Sequence, residues 1–584
     1  MDKQVYEFIT AQTGEKIVER RKCTDCGQEF AITDKDLNFY SKVSPIFNGT
    51  KYEIPAPTLC PECRQQRRLA RRNERKLYKR KCDLTGKTII SIYSPDSPYK
   101  VYESKEWRGD NRDPMDYSRD FDFTRPFFEQ FDELSKIVPK ISLNTWNNNE
   151  NSDYNNYISY SKNCYLNFGI DNSENVFYSS KSSHIKDSIE INNCSNIENS
   201  AYVERSGNTS NSFFIDGSIF IRDSFFVKWS RDIDHWIFCL NIVNKQYAYQ
   251  NKEISKSDYE KIYQEIKSKI KTYSWLTWFI RDYDNFLKQF PVLSAEMTRN
   301  ENCYWVLVSN SKNCSFVYSI VAGEDCKYSY DSAYLVDCMD IDIAGNGINH
   351  SLEVINCFWC TNIFFSESVF ENSRDVFYSL NCANNSSNLF GCIGLTNKQY
   401  CILNKQYTKE EYEQLVPKII KHMQKNWERG QFFAPEISPF GYNETIANEY
   451  YSLDRDEALK KWFKRQDKEY PINMPEGIEL IRAKDLPDNI DDVSDDILKK
   501  AIVCEVSGKP FRIMKSELDF YRKHWLALPR QHQDVRYTER LRKMPSRKIY
   551  FSKCDKCGKQ IISVYPADTE FKVYCQECYD EETY

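Results

Sequence analysis

The sequence has few of the residues that enzymes commonly use for catalysis, and it has no long apolar run. Only six of the 584 residues are histidine, and we find no HExxH motif, nucleophile elbow or phosphate-binding loop. No stretch approaches the roughly 18 consecutive apolar residues that a membrane-spanning helix needs. The first residues, MDKQVYEFIT, lack the apolar core of a signal peptide. We therefore expect no membrane segment, and catalysis has little support.

The chain also lacks a strong overall charge. Its formal net charge is −5 and its isoelectric point is near 5.9, which argues against a globally basic nucleic-acid-binding protein. The charge is nevertheless unevenly distributed. Residues 64–81 contain ten Lys or Arg and a single acid, whereas residues 485–496 contain six Asp. A local basic patch of this density can still bind an anion.

Cysteine is abundant in this sequence, and the spacing of the cysteines favours metal binding over disulfides. There are 22 cysteines, but the chain is much longer than a typical disulfide-rich secreted domain. Eight of the cysteines form paired C-x-x-C motifs, an arrangement typical of zinc sites in a reducing compartment. We therefore predict a cytoplasmic location.

Two sets of four cysteines have the spacing of structural zinc sites. The predicted ligands are Cys23, Cys26, Cys60 and Cys63 for the first ion and Cys554, Cys557, Cys575 and Cys578 for the second. Each set supplies the four thiolates that tetrahedral zinc prefers, and neither leaves an open position for catalysis. The sequence therefore predicts two zinc ions per chain with a structural role.

The two ends of the chain are copies of one module. Residues 23–42 match residues 504–523, and residues 82–107 match residues 554–579 without a gap. Each copy has room for two four-cysteine sites, and the two copies have kept opposite ones. Cys82 and Cys504 are left alone by this loss, and we predict that they pack as small apolar residues.

The N-terminal copy resembles a known family. CTDCGQEF, DLNFYSK and LCPECRQQRR follow one another over residues 20–70, and this order is similar to the bacterial "probable zinc-ribbon" domain family. The resemblance implies zinc binding and no particular biochemical role. The whole architecture also resembles large proteins of candidate-phyla bacteria, a likeness that implies no function.

Between the zinc modules the sequence repeats every twelve residues. The positions that mark this period are Asn163, Asn175, Asp187, Asn199, Asn211 and Asp223, and then Asn313, Asp325, Asp337 and Asn349. A fixed period with short strands and Asn or Ser corners predicts a β-solenoid. Its Asn and Asp side chains would form ladders, and Ile and Phe would fill its interior. Twelve residues make either one narrow two-sided coil or half of a larger one.

We therefore predict a mainly β fold, with two β-solenoid segments that carry helical caps. Duplicated treble-clef or zinc-ribbon-like modules would flank these segments. The predicted divisions are the N-terminal zinc module (1–110), a helical connector (111–149), the first solenoid run (150–240), a capping helix and connector (241–300), the second run (301–392), a capping helix (393–425), a helical and acidic linker (426–500) and the C-terminal zinc module (501–584).

The leading functional hypothesis is nucleic-acid binding through basic helices beside the zinc knuckles. The predicted contacts to phosphate are Arg64, Arg67, Arg68, Arg71, Arg72, Arg75 and Lys79 in the first copy and Arg540, Arg542, Lys543 and Arg547 in the second. Several of the first group fall at helical spacing and would line one face. RNA is favoured over DNA because no motif for reading the major groove is visible. The alternative is a structural face whose arginines pair with acids elsewhere.

Two other functional classes stay open. A solenoid offers long regular faces, so the chain could be a scaffold for protein partners, with the zinc modules as caps or docking heads. Some large β-helices are carbohydrate-active enzymes that use paired carboxylates. Here the repeated Asp and Asn recur at one corner, which indicates ladders rather than a unique catalytic site.

Overall fold

The computed structural model describes residues 3–583 apart from 147, 344, 346 and 471–476. The fold is mainly β, and most strands belong to two large sheets of predominantly parallel strands. None of the helices in this described part has both the length and the apolar character needed to cross a bilayer.

The N-terminal module and the connector precede the first large sheet. Their elements are α1 (Lys3–Thr13), β1 (Ile17–Lys22), β2 (Glu29–Thr33), α2 (Asp34–Val43), β3 (Ile46–Phe47), β4 (Thr50–Lys51), α3 (Pro61–Leu69), β5 (Tyr78–Lys81), β6 (Thr88–Ser91), β7 (Val101–Tyr102), α4 (Ser104–Arg108), α5 (Phe127–Ile137) and β8 (Lys140–Ile141). β1 pairs with β2 and β5 pairs with β6, both antiparallel.

The first parallel sheet and its cap come next. The elements are β9 (Asn156–Ser159), β10 (Phe168–Asp171), β11 (Glu174–Phe177), β12 (Ser180–Asn192), β13 (Ser195–Glu198), β14 (Ala201–Glu204), β15 (Gly207–Ser210), β16 (Phe213–Asp216), β17 (Ile219–Arg222), β18 (Phe225–Lys228), β19 (Arg231–Leu240), β20 (Val243–Tyr249), β21 (Lys252–Glu253), α6 (Lys256–Ile270) and α7 (Tyr273–Leu287). The long strands β12 and β19 pair with both rows of short strands, so the sheet closes on itself.

The second parallel sheet follows with its own cap. The elements are β22 (Val292–Leu293), β23 (Met297–Thr298), β24 (Tyr304–Ser309), β25 (Ser315–Val321), β26 (Tyr330–Ala333), β27 (Leu335–Asp342), β28 (Ile348–Cys357), β29 (Thr361–Val369), β30 (Arg374–Phe377), β31 (Ser387–Phe390), β32 (Gln399–Ile402), β33 (Lys405–Gln406) and α8 (Lys409–Lys425). β23 to β33 pair in chain order, and all of these pairs are parallel except β32 with β33.

The C-terminal part contains short helices and the second zinc module. The elements are α9 (Ile446–Tyr450), α10 (Arg455–Lys460), β34 (Glu479–Arg482), β35 (Lys500–Val503), β36 (Pro510–Phe511), α11 (Lys515–His524), α12 (Gln533–Lys543), β37 (Tyr550–Lys553), β38 (Gln560–Ser563), β39 (Val573–Tyr574) and α13 (Gln576–Thr583). The register of β37 with β38 repeats that of β5 with β6, since Tyr550 faces Ser563 as Tyr78 faces Ser91.

The twelve-residue period is the register of the parallel strands. In the first sheet Ile197 pairs with Thr209 and Ile221 pairs with Ile233. The period becomes thirteen in part of the second sheet, where Val376 pairs with Leu389. The repeat positions therefore stack above one another, as the sequence predicted.

The predicted Asn ladder is present at one corner of the first sheet. Asn163 donates to the side-chain oxygen of Asn175 at 3.0 Å, and Asn175 donates to Asp187 at 2.7 Å. All three residues have a positive φ, a backbone region in which Asn and Asp are enriched. The chain can therefore turn at this corner without glycine.

A second ladder was not predicted from the sequence. Ser200 donates its backbone N–H to the hydroxyl of Ser188 at 3.2 Å, and Ser212 donates to Ser200 at 3.1 Å. These side chains are fully buried. Each hydroxyl thus satisfies a buried backbone group of the next coil, a role that smallness alone does not reveal.

The prediction that both Ile and Phe fill the interior needs a correction. Ile197, Ile221 and Ile233 form the closed interior of the first sheet with other residues that are mostly aliphatic, and Trp236 is the one aromatic residue of this buried cluster. Phe213 and Phe225 are buried, as predicted, but in a different cluster, beneath the cap and the C-terminal module. The closed interior is thus filled mainly by Ile and Val, and most of the larger rings pack on the outer side of the sheet.

The two capping helices lie in the predicted segments, and each begins at a side-chain cap. Ser255 accepts the backbone N–H of Asp258 at the start of α6, and Thr408 and Glu411 form a reciprocal capping box at the start of α8. Each helix follows an antiparallel hairpin that ends a parallel sheet. These elements cover sheet ends that would otherwise expose unpaired strands.

Neighbouring residues on β17 allow a direct test of this packing. Ile221 is fully buried, whereas Phe220 is 52 % exposed. We expect Ile221→Ala to lower the free energy of unfolding by about 2–5 kcal/mol, because it removes buried methyl groups and leaves a cavity. Phe220→Ala should change it much less. Chemical denaturation of both variants checks this, and equal effects would contradict the assigned facing of β17.

Candidate metal centres and the arginine helices

The first cysteine cluster lies between a knuckle and a helix start. Cys23 and Cys26 are in the turn between β1 and β2, and Cys60 is the N-cap residue of α3. With Cys63 they bring four sulfurs within 4.8 Å of one another. The sulfurs of Cys26 and Cys60 are 3.8 Å apart.

The second cluster has the same construction at the other end of the chain. Cys554 and Cys557 are in the turn between β37 and β38, and Cys575 and Cys578 lie at the start of α13. The sulfurs of Cys557 and Cys575 are 3.9 Å apart. Burial alone would raise the pKa of Cys554, but backbone N–H donors, including that of Cys575 at 3.3 Å, lower it to about 6.

Both clusters fit zinc. Four sulfurs about 2.3 Å from a tetrahedral ion are separated by about 3.8 Å from one another, which agrees with the measured separations of 3.8 and 3.9 Å. Four thiolates with no carboxylate are the donors typical of structural zinc. The two clusters are the predicted ligand sets.

The knuckle turns persist where the cysteines have been lost. Gly27 and Gly558 in the complete sites, and Gly86 and Gly508 in the incomplete ones, have positive φ and donate to the carbonyl of the first cysteine of their turn. That region of φ favours glycine. Cys82 and Cys504 are buried, as predicted. All four turns therefore have one conformation, and the cysteine content decides which can hold metal.

The N-terminal module is similar to a treble-clef domain, and its four cysteines fit zinc binding. Residues 19–72 match the model of a family described as "Probable treble clef domain", which confirms the resemblance found in the sequence. The match covers the N-terminal module and no other part of the chain. Comparison with curated proteins and with solved structures found no match.

The arginines of α3 are buried against the second parallel sheet. Arg68 has no exposed surface and lies 2.6 Å from Asp342 and 2.7 Å from Glu353. Arg64 is 2 % exposed and lies 3.0 Å from Asp340. The prediction of a solvent-facing basic helix is therefore wrong for these two residues, because carboxylates of β27 and β28 already neutralise them.

Most of the other predicted phosphate contacts in this copy lie beyond the helix, which ends at Leu69. Arg71 is 2.8 Å from Glu367, and Arg72 is 2.6 Å from Glu74; both are buried. Their predicted exposure is wrong for the same reason. Arg75 is largely buried beside Tyr537, Arg67 is partly buried on α3, and Lys79 is exposed on β5. These residues do not form one helical face.

The second copy repeats the buried pairing on the other sheet. Arg536 and Arg540 correspond to Arg64 and Arg68 when Cys554 is aligned with Cys82. Both contact Glu190 of the first parallel sheet, and Arg540 lies 2.9 Å from Glu204. The predicted exposure of Arg540 is therefore also wrong. Each zinc module thus packs an equivalent pair of arginines against one of the two sheets.

The remaining residues of the second copy are placed differently. Arg542 is exposed and has no ion pair within the described residues, whereas Lys543 is exposed and pairs with Asp284 at 3.0 Å. Arg547 lies after α12, contacts Asp331 and has a side chain that is only 7 % exposed. Its guanidinium lies over the ring of Tyr450. Arg547 is therefore not a freely exposed cation.

The electrostatics of the buried network keep Arg68 charged. Burial opposes its charge, but Asp342, Glu353 and Asp340 outweigh that effect and hold its pKa above its usual value. Burial raises the pKa of Asp340 to about 6 despite Arg64 and Arg68. At neutral pH the network is an ionised cluster in which each charge has a partner.

The carboxylate partners were missed in the sequence. Asp340 and Asp342 flank Ile341 in β27, so both point to the face opposite the sheet interior. Two acids that flank an apolar residue at the end of a strand are an unusual signal, since buried carboxylates need partners. This signal could have identified the docking site of α3.

Proposed function

We propose that the protein is a non-enzymatic, zinc-stabilised scaffold in which two β-solenoids present binding faces to protein partners. One observation carries the proposal: equivalent arginines of the two zinc modules form buried ion pairs with carboxylates of the two sheets. The modules therefore act as clamps. A four-thiolate centre without an open coordination position supports a structural rather than a catalytic role for the metal.

The solenoid part of the proposal is supported by the strand register. Strands pair in parallel at steps of twelve or thirteen residues, with left-handed corners between short strands. Stacked coils of this type give long, regular and rigid faces. Free thiols throughout the described residues support a reducing compartment such as the cytoplasm.

An aromatic strip on the second sheet is the best candidate contact face. Tyr334, Gly347 and Trp359 follow one another at the coil spacing, and the Tyr334 carbonyl accepts the N–H of Gly347. A Cβ built on Gly347 would lie 3.5 Å from the Trp359 ring. Tyr334 is 53 % exposed and Trp359 is 60 % exposed. Exposed aromatic residues of this kind are enriched at protein interfaces.

A paired affinity experiment tests the scaffold proposal. Tagged wild-type protein and a Tyr334→Ser/Trp359→Ser variant would be isolated from the native host with nuclease present throughout. We expect a stoichiometric protein partner that the variant loses, while zinc content and circular dichroism stay unchanged. Trp462→Ser, which alters another highly exposed tryptophan, is the matched control. A partner retained by the strip variant would contradict this face.

Nucleic-acid binding is the second candidate, and a narrower set of residues supports it. Lys79 and Arg542 are exposed and have no ion pair within the part of the chain that the structure describes. Fluorescence anisotropy with single-stranded RNA and DNA over a range of salt concentrations tests it. Each phosphate contact contributes roughly 0.7 to 0.9 to the slope of log affinity against log salt. Affinity without salt dependence would exclude this function.

A further inference from the structure

The two zinc modules meet at a cleft of about 880 Å³. One wall is the segment that follows α3, another is α12 with the segment after it, and a third is formed around α9. A volume of this size is within the range of small-molecule binding sites. The cleft is distinct from the aromatic strip and from the pairs that Arg64, Arg68, Arg536 and Arg540 form with the two sheets.

Equivalent cations from both copies of the module line this cleft. Arg75 and Lys76 of the first copy correspond to Arg547 and Lys548 of the second, and all four are lining residues. The two copies therefore present the same Arg-Lys pair to one space. A fifth cation, Arg542 of α12, also lines the cleft and has no ion pair in the described structure.

The two arginines are held in place by aromatic rings and by one carboxylate each, Asp534 near Arg75 and Asp331 at Arg547. Arg75 lies 3.7 Å from the ring centre of Tyr537, and Arg547 lies 3.5 Å from that of Tyr450. Their side chains are 10 % and 7 % exposed. Within the described residues, Nη1 of each has no hydrogen-bond partner. Positioned guanidiniums with unused donors favour an oxyanion ligand.

The acids that face the cleft are mostly engaged. Glu444 accepts the hydroxyl of Tyr78 at 2.6 Å, and Glu449 accepts that of Tyr537 at 3.0 Å. Asp331 contacts Arg547 from behind the cleft, and Asp534 lies 3.8 Å from Lys76 and 3.9 Å from Arg75. Glu62 and the sulfurs of Cys26 and Cys63 also line the cleft. Lys461 lines it as well and pairs with Asp25. The positive charge without an ion pair within the described residues is therefore that of Arg542 and Lys548.

We propose that this inter-module cleft binds a phosphate-bearing ligand through Arg75, Lys76, Arg542, Arg547 and Lys548. Arginine matches phosphate oxygens in a bidentate manner, and lysine adds point charge. Tyr450 and Tyr451 line the same space and provide aromatic surface for an attached base. The phosphate could belong to a free nucleotide or to an RNA strand. Neither source depends on the scaffold proposal.

Calorimetry on the full zinc-loaded chain tests this site. The probes are inorganic phosphate, adenosine monophosphate and a short single-stranded RNA. We expect Arg542→Ala/Lys548→Ala to weaken binding at least tenfold, and Lys76→Ala to weaken it as well, since both copies contribute. Lys543→Ala is the control, because Lys543 is on α12 but pairs with Asp284 and does not line the cleft.

The outcomes separate the two sources. Binding of phosphate or the mononucleotide that the double variant loses assigns a free nucleotide, and binding of RNA alone with the same loss assigns the strand. The proposal is overturned if no probe binds the wild type, or if Lys543→Ala weakens binding as much as the double variant. The ends of the altered side chains are exposed, so these variants should fold normally. Unchanged zinc content would verify this.

Discussion

Replacement of Cys60 by serine is expected to remove one zinc ion per chain and to unfold the N-terminal module locally. Cys60 is both a zinc ligand in the proposed site and the N-cap residue of α3. Structural zinc contributes apparent binding free energies of about 10–16 kcal/mol in small zinc domains, so the loss is larger than any contact in the module could offset. α3 would then lose the fixed start that positions Arg64 and Arg68.

Metal analysis and hydrogen exchange measure the two parts of this prediction. Zinc content should fall from two ions to one, because the two clusters share no ligand. Exchange should rise in residues 19–72 and leave 550–579 protected. Cys82→Ser is the matched control, since Cys82 is a buried cysteine in an incomplete knuckle. Retention of two ions by Cys60→Ser would show that Cys60 is not a ligand.

The zinc sites could be predicted from the sequence because their chemistry is local. A C-x-x-C turn fixes two ligands by itself, and duplication identifies the partner turn. The repeat could be predicted for a similar reason: parallel strands that pair at steps of twelve residues place equivalent residues above each other, so the period is visible in the sequence. The corners at Asn163 and Asn175 follow from the backbone preferences of asparagine.

The role of the arginines could not be predicted because it depends on contacts distant in sequence. Arg68 is separated from Asp342 by 274 residues, and nothing near Arg68 indicates that α3 lies on β27. A run of arginines has the same local pattern whether it faces solvent or a carboxylate cluster. Burial decides between the two, and burial is a property of the whole fold.

The duplication gives an independent reason to regard this pairing as architectural. Arg64 and Arg68 dock on the second parallel sheet, and Arg536 and Arg540 dock on the first. The second half of each module also contributes a strand that pairs with a short strand lying before one of the large sheets in the chain. β7 pairs with β8, and β39 pairs with β22. Each zinc module thus connects distant parts of the chain in the same way.

Replacement of Arg68 by methionine is expected to destabilise the docking of α3 on the second sheet by about 3–5 kcal/mol, because removing one partner of a buried ion pair leaves the other charge desolvated. The change keeps much of the side-chain volume but leaves Asp342 and Glu353 without their closest cation. Denaturation followed by tryptophan fluorescence, with hydrogen exchange in 61–69 and 335–357, measures the effect.

A double-mutant cycle separates loss of the pair from loss of packing. We expect Arg68→Met/Asp342→Asn to be more stable than the sum of the single changes predicts, since the second change removes a charge that the first leaves unpaired. Arg67→Met on the same helix is the control, because no ion pair of Arg67 is present among the described residues. Arg540→Met should act in the same manner on the first sheet, where Glu204 loses its arginine and Glu190 loses one of its two. A stability loss at Arg68 no larger than at Arg67, with additive double changes, would show that the arginines are not clamps and would return them to the list of candidates for phosphate binding.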